Sequence, residues 1–477
     1  MSLNRKTIVV CGGGLDGNFV ALSLAKTLGA DFRIVQIAGS ERRADNVFYG
    51  SATSPEGYNF LHALGLDERT LLLKSQTAFS YGSFFRRWAS PQPWILCHHA
   101  PFPILAGIPL RHFLTRSGAP LEPLLISARA AALGRFAHPP DDPRNPLSRA
   151  EYGYQFSPDE WIELLDSLVA NSRVERVRAD ITGIDHQGDT VSAVQVAGRE
   201  RVSGDIFVDA SGPARHCIGA LASNYRATRN VAACAERQDV PQLGPPCRVI
   251  EAGPSGWTST THLQDSILKI RIDAADDNDL PATAIQMALG QLDEAWIGNC
   301  IAVGHAAWAI EPLTPAPMML LQRDIVRLQE LVPGSDDMTT ERREFNRRFK
   351  DDLAHANSFH DALYIPETRP EAVPRRPLSP GTGSEALSRK IAQFKNRGIL
   401  VSYDLEPFNE EDWTQNHLGM GRLPRQHDRQ LDAIPVQQAE HDLARLQNVI
   451  DQMVSRMPPH HVYLARFKAY LEKKSHV

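Results

Sequence analysis

The six residues Gly12-Gly13-Gly14-Leu15-Asp16-Gly17 constrain this chain more than any others. They follow a continuously apolar, β-branched run over residues 7 to 11, and apolar positions then recur at helical spacing from 18 to 28. A strand, a tight turn and a helix are the reading, and a second apolar run, Phe32 to Ile37, completes a βαβ unit of the dinucleotide-binding type. The GxGxxG spacing has a backbone logic. Gly12 makes the turn, Gly14 lets a pyrophosphate approach the main chain, and Gly17 lets the helix approach the sheet, while the helix N-terminus offers unpaired N–H groups and a favourable dipole. The acidic residue that usually holds a ribose about 20 residues further on is Gln36 in this reading, which bonds a hydroxyl but brings no charge.

Composition excludes more than it selects. A chain of 477 residues, 42% hydrophobic and 22% charged, buries a large core in two or three lobes. Its formal net charge of −5 argues against a nucleic-acid partner, which needs a concentrated basic face. Arg342, Arg343, Arg347 and Arg348 cluster, but with Glu341 and Glu344 at helical spacing they read as a solvated helix face. No run of about 18 apolar residues and no secretory pattern is visible, so no membrane partner is expected and the chain is assigned to the cytoplasm. The six cysteines, Cys11, Cys97, Cys217, Cys234, Cys247 and Cys300, lack CxxC spacing and read as buried thiols, with no disulfide and no metal site expected. The adjacent His98 and His99 read as packing residues for the same reason.

Beyond the first unit, the pattern predicts a helix from Ser157 to about residue 171, with Pro158 at its first position and Ser157 and Glu160 forming a capping box. Strands are predicted over Arg176 to Ile184, Val191 to Val196 and Ile206 to Val208, with Gly188 and Asp189 turning a hairpin. The proline-rich segments 88 to 110 and 135 to 150 read as surface loops, and 236 to 247 and 367 to 386 as linkers or loops. From about residue 320 the periodicity is mostly helical. The expected division is an interleaved body over residues 1 to 335 and a helical region over 336 to 477.

Three more segments carry a resemblance. The run Cys300 to Val303 leads into Gly304-His305-Ala306-Ala307-Trp308 and on to Glu311-Pro312-Leu313; the strand Ile206-Phe207-Val208-Asp209 ends in Ala210-Ser211-Gly212; and Gly50-Ser51-Ala52-Thr53 follows the first unit. Together with the glycine turn these resemble the tryptophan halogenase family of FAD-dependent enzymes. Tyr152, Tyr154, Phe156, Phe345-Asn346-Arg347, the stretch from Glu410 to Pro424 and Met457-Pro458-Pro459-His460 extend the resemblance over essentially the whole chain. It implies an α/β fold: an FAD-binding Rossmann-like domain of the GxGxxG type, interleaved substrate-covering segments and a helical C-terminal region. It also implies FAD held at Gly12, Gly14, Gly17, Gln36, Ala52, Asp209, Gly304 and Leu313. A small organic, aromatic substrate, a separate flavin reductase and a homodimer are the partners it leads one to expect.

The departures from the family lie at its chemistry. Where the family has Glu-Pro-Leu-Glu-Ser-Thr-Gly, this chain has Glu311-Pro312-Leu313-Thr314-Pro315-Ala316-Pro317, so Thr314 stands at the catalytic Glu and the halide-holding Ser and Thr are gone. Prolines there offer no N–H, although a helix is expected to start just after them, at Met318. The family's lysine, which receives the oxidised halogen, is matched by Ser80 within Thr77-Ala78-Phe79-Ser80-Tyr81-Gly82. A hydroxyl forms no haloamine and carries no charge. Of the family's paired tryptophans only Trp257 remains. No catalytic residue is assigned on this basis, and three readings follow. The first is an FAD-dependent oxidoreductase or monooxygenase that does not oxidise halide; the others are a catalytically degenerate flavin-binding or partner protein, and a tryptophan or indole halogenase with atypical residues.

Overall fold

A computed structural model describes residues 6–39, 44–89, 92–99, 101–221, 224–277, 280–334, 337–367 and 384–474, with the backbone alone at 199 and 200. Strand β1 (Lys6–Cys11), helix α1 (Gly14–Thr27) and strand β2 (Phe32–Ile37) form the βαβ unit. β1 is paired on both sides, parallel to β2 and to Ile206–Asp209, with Val9 opposite Val35 and Phe207. A central parallel strand is covered on both faces, which is why its sequence is continuously apolar instead of alternating. The six-stranded sheet runs Trp296–Ile297, Cys300–Ala302, Ile206–Asp209, β1, β2, Glu175–Val177, and only its first pair is antiparallel. Segments some 200 and 290 residues apart in sequence thus meet beside the glycine turn.

A second, eight-stranded sheet carries the covering layer. Its order is Trp308–Ala309, Ile285–Leu292, Tyr225–Asp239, Ser266–Ala274, Gly256–His262, Arg248–Ala252, Gly82–Arg86, Trp94–Cys97. Only the join between Arg248–Ala252 and Gly82–Arg86 is parallel. The segment 88 to 110 is therefore not all loop: Trp94–Cys97 closes an edge of this sheet, and Trp88 is fully buried with its indole N–H donated to Leu363 O at 2.7 Å. Likewise residues 236 to 239 complete the long strand Tyr225–Asp239, so the expected linker starts too early. Most of the expected loop 367 to 386 lies outside the described residues.

Other local expectations are partly replaced by tertiary partners. The helix Pro158–Ala170 starts where proline suits a first turn, but Ser157 makes no side-chain cap. Glu160 instead accepts from Gln76 N at 2.6 Å and pairs with Arg237 at 2.6 Å, so no capping box forms. The expected strand from 176 to 184 is two strands. Glu175–Val177 joins β2, while Ile181–Gln187 opens a separate three-stranded antiparallel sheet whose hairpin turns at Gly188 with φ +56°. After Ala316 the chain is mainly helical, with Ala316–Leu331 and Thr339–Ala362 the first two helices. On the latter, Glu344 binds both Arg347 and Arg348, so the arginine cluster is a solvated, internally paired face. Among the described residues no helix is long and apolar enough to cross a membrane.

Trp161 ties this frame together. It is fully buried, stacks on Phe156 with ring centroids 4.0 Å apart and donates its N–H to Thr77 Oγ1 at 2.9 Å. Trp161→Ala should cost about 3–5 kcal/mol, and Trp161→Phe clearly less, in denaturant unfolding followed by circular dichroism. Equal costs would mean that the ring contributes little packing.

Candidate nucleotide turn and substrate cavity

The glycines do what their spacing predicts. A Cβ on Gly12, which has φ +135°, would lie 2.0 Å from Ala210 O, and one on Gly17 would lie 2.2 Å from Gly12 O. Both positions are closed to any side chain, since the obstacle is backbone in each case. Gly14 opens α1 with φ +81°, a conformation that a Cβ disfavours. Gly304, with φ +61°, lets the strand-end turn press against Tyr49 Oη and Asp16. There Tyr49 stacks on His305 with centroids 3.8 Å apart and donates to Asp16 Oδ2 at 3.1 Å, and His305 Nδ1 lies 3.1 Å from Asp45 Oδ2. The segment 44 to 49 also reaches the helix start, where Asn46 Oδ1 accepts from Leu15 N at 3.0 Å.

Two expected contact residues face elsewhere. Gln36 is fully buried under the turn and donates to Gly12 O and Asn18 Oδ1, at 3.1 and 2.9 Å, so it braces the turn and does not reach toward a ribose. Just after β2, the Ala38 Cβ lies 3.4 Å from where a Cβ on Gly13 would stand. Asp209 is fully buried, and its two oxygens accept from Ser211 N and Oγ and from Cys217 N and Ile218 N, all within 3.0 Å. It folds the turn after its strand. Ala52 is buried and bridges to Gln155.

The segment from Glu311 to Pro315 supplies consecutive residues to two clefts. Glu311 lines one of about 1020 Å³ with Arg229, Trp257 and Tyr364; Leu313, Thr314 and Pro315 line the other, of about 820 Å³. Glu311 is held by Arg229 and by Tyr364 Oη at 2.6 Å. Behind the segment, Arg248 is 1% exposed and donates to Pro312 O at 2.9 Å and Leu313 O at 2.6 Å, with Ser83 Oγ at 3.3 Å. Burial brings its pKa down to about 9, which still leaves it charged at neutral pH. The helix after the segment starts at Ala316, two residues before the expected Met318, with Pro317 in a first-turn position that has no need of an N–H.

The cleft of about 820 Å³, a volume that includes its open mouth, is the candidate substrate cavity. Phe85, Phe359 and Phe408 give it aromatic walls, the last two stacked at 4.0 Å. His98 and His99 line it too, which corrects the expectation that they only pack. Burial, with Arg248 assisting, brings the His98 pKa down to about 4, so the ring is neutral. Thr314 presents its hydroxyl in the wall with His360 Nε2 at 2.7 Å behind it, and Ala316 N donates to the same oxygen at 3.2 Å. Ser80 does not line the cavity: it is fully buried, and its hydroxyl donates to Gly82 O at 3.2 Å and accepts from Gly82 N at 3.3 Å. Arg248, Glu56 and Glu151 were missed from sequence, and His360 and Asp412 lay within the family resemblance without a site role. Only Asp412 had a local signal, as partner of Asn409 in a capping box that does form.

A mainly parallel dinucleotide-type sheet and a glycine turn closed to side chains define the fold class of a nucleotide-cofactor enzyme, with an aromatic cavity as its candidate substrate site. The tryptophan halogenase family model matches residues 7–436, and the chain belongs to that family. It is a family of flavin-dependent enzymes whose cofactor is FAD. The tryptophan 6-halogenase ThaL of Streptomyces albogriseolus is 22% identical over 75% of this chain and 76% of its own length. The 7-chloro-L-tryptophan 6-halogenase KtzR of Kutzneria sp. is 21% identical over 97% and 99%. Among solved structures, the flavin-dependent halogenase BrvH from Brevundimonas sp. BAL3 aligns with a TM-score of 0.86 at 24% identity, covering 98% of this chain and all of that one.

Arg248→Met should remove the donors of two buried carbonyls and cost about 3 kcal/mol, read as a lowered melting temperature of the purified chain. An unchanged melt would show that solvent or another donor replaces the guanidinium there.

Proposed function

We propose that this chain is an FAD-dependent oxidoreductase or monooxygenase that acts on a small aromatic molecule in the 820 Å³ cavity and does not oxidise halide. The observation that carries this reading is the closed state of both positions where the family keeps its reactive groups. Ser80 is bonded to the backbone of Gly82, where the next strand begins, and Thr314 is bonded to His360; neither a lysine nor a carboxylate stands at either place. Pro315 and Pro317 add no N–H for a halide.

FAD, when bound, supplies two-electron redox chemistry and the activation of dioxygen. Gly12, Gly14 and Gly17 shape the turn for its pyrophosphate, and Asn46 must release the Leu15 N–H before a phosphate oxygen takes it. The phenylalanine walls exclude water and hold a flat substrate. The Thr314 hydroxyl and His360 Nε2 share a hydrogen bond at 2.7 Å, which offers a path for a proton out of the cavity. Electrons reach the flavin from a separate reductase.

Titration of the purified chain with FAD should quench its tryptophan fluorescence. Gly14→Val, compared at equal melting temperature, should bind FAD at least about tenfold more weakly because a branched side chain disfavours positive φ. Absence of FAD binding in the parent would favour the flavin-free partner reading. With a flavin reductase, FAD, dioxygen and chloride or bromide, no halogenated tryptophan or indole should exceed the free-flavin control in mass spectra. Halide-dependent product above that control would make the chain a halogenase with atypical residues.

A further inference from the structure

The cavity is one-sided in charge. Glu56, Glu151 and Asp412 line it, and no lysine or arginine does among the described residues. Each carboxylate raises the proton affinity of a neighbour: Glu151 acts on Glu56, and Glu56, Glu411 and Glu151 act on Asp412. The three therefore share one local field. Glu56 and Glu151 stand exposed at the cavity mouth and Asp412 is half-buried; partial desolvation shifts all three upward, Asp412 to about 7. Arg323 is the cation whose charge reaches Glu56, but it is already tied to Asp352 and to Leu405 O. Arg111, near the same helix start, is paired with Glu410.

A second observation points the same way. His98 Nε2 is shielded from solvent and has no partner, although the residue lines the cavity. The ring is neutral, so it brings no positive charge to the cavity. Ionised carboxylates accept hydrogen bonds and cannot answer a carboxylate on a ligand. The apolar complement is the Phe85, Phe359 and Phe408 wall, which suits a flat ring and tolerates a nearby cation.

We propose that the substrate of this cavity is an arylalkylamine: a flat aromatic body bearing a protonated amine and no carboxylate, with the ring against the phenylalanines and the ammonium held at Glu56, Glu151 and Asp412. This rests on the cavity being the substrate site. A free α-amino acid is disfavoured because its carboxylate would face three carboxylates with no cation to meet it.

The test is calorimetric titration of the full chain, loaded with FAD, using four probes of one ring: tryptamine, 3-methylindole, indole-3-propionate and tryptophan. Tryptamine should bind about tenfold more tightly than 3-methylindole, with the two carboxylates weaker still, and its advantage should shrink as salt is raised. In Glu56→Gln/Glu151→Gln the tryptamine advantage should fall below about threefold while 3-methylindole affinity holds. Ser54→Trp, which fills the cavity from its rim, should weaken every probe and so place the binding. If 3-methylindole binds in a Ser54→Trp-sensitive way and tryptamine binds no better, the amine assignment is overturned and the cavity remains the substrate site. If no probe responds to Ser54→Trp, the aromatic-cavity reading fails with it.

Discussion

Arg248 sits at 1% exposure and donates to the carbonyls of Pro312 and Leu313 without a carboxylate among its hydrogen-bond partners. A buried charge is tolerated only where strong acceptors surround it, and two backbone carbonyls with the Ser83 hydroxyl fill that role. The arrangement has a positional consequence. Arg248 begins a strand of the eight-stranded sheet and pairs in register with Ser83, so the guanidinium fixes the 312–313 backbone to that sheet. Pro312 in turn lies against Gly50, where a Cβ would come within 3.0 Å of the proline ring. The wall between the covering sheet and the dinucleotide sheet is thereby set, and with it both clefts lined by residues 311 to 315.

The chemistry that this wall presents differs from what its family pattern implies. A hydroxyl backed by an imidazole stands at Thr314, and the serine at position 80 is bonded to the backbone of Gly82. These are satisfied polar groups, so each position is stable as it stands and neither strains to recruit a missing partner. Function has to be argued from the cavity and its charges, because a shared fold carries many chemistries. The cavity's acceptor-rich lining is the feature that distinguishes it.

The nucleotide turn shows a similar economy. Gly12 and Gly17 are required by close backbone contacts, at Ala210 O and Gly12 O, that leave no room for a side chain. Asn46 occupies the Leu15 N–H, a group that would otherwise be an orphan of the helix start.

The βαβ unit was legible from sequence because turn glycines, a doubly covered strand and helical periodicity are local consequences of backbone sterics. The segments at Gly304 and Glu311-Pro312-Leu313 stood out only through their resemblance to the family. The failures have one source. Glu160 was read as a capping residue until Gln76 N and Arg237 claimed it, and Gln36 as a ribose partner although it braces Gly12. Residues 94 to 97 were read as loop because their pairing strand offers the missing hydrogen bonds only in the folded sheet. His360 behind Thr314, Arg248 behind Leu313, and the gathering of Glu56, Glu151 and Asp412 around one cavity come from segments tens to hundreds of residues apart. Local sterics cannot encode such meetings; they are decided by which surfaces bury together, and that is a property of the whole packed chain.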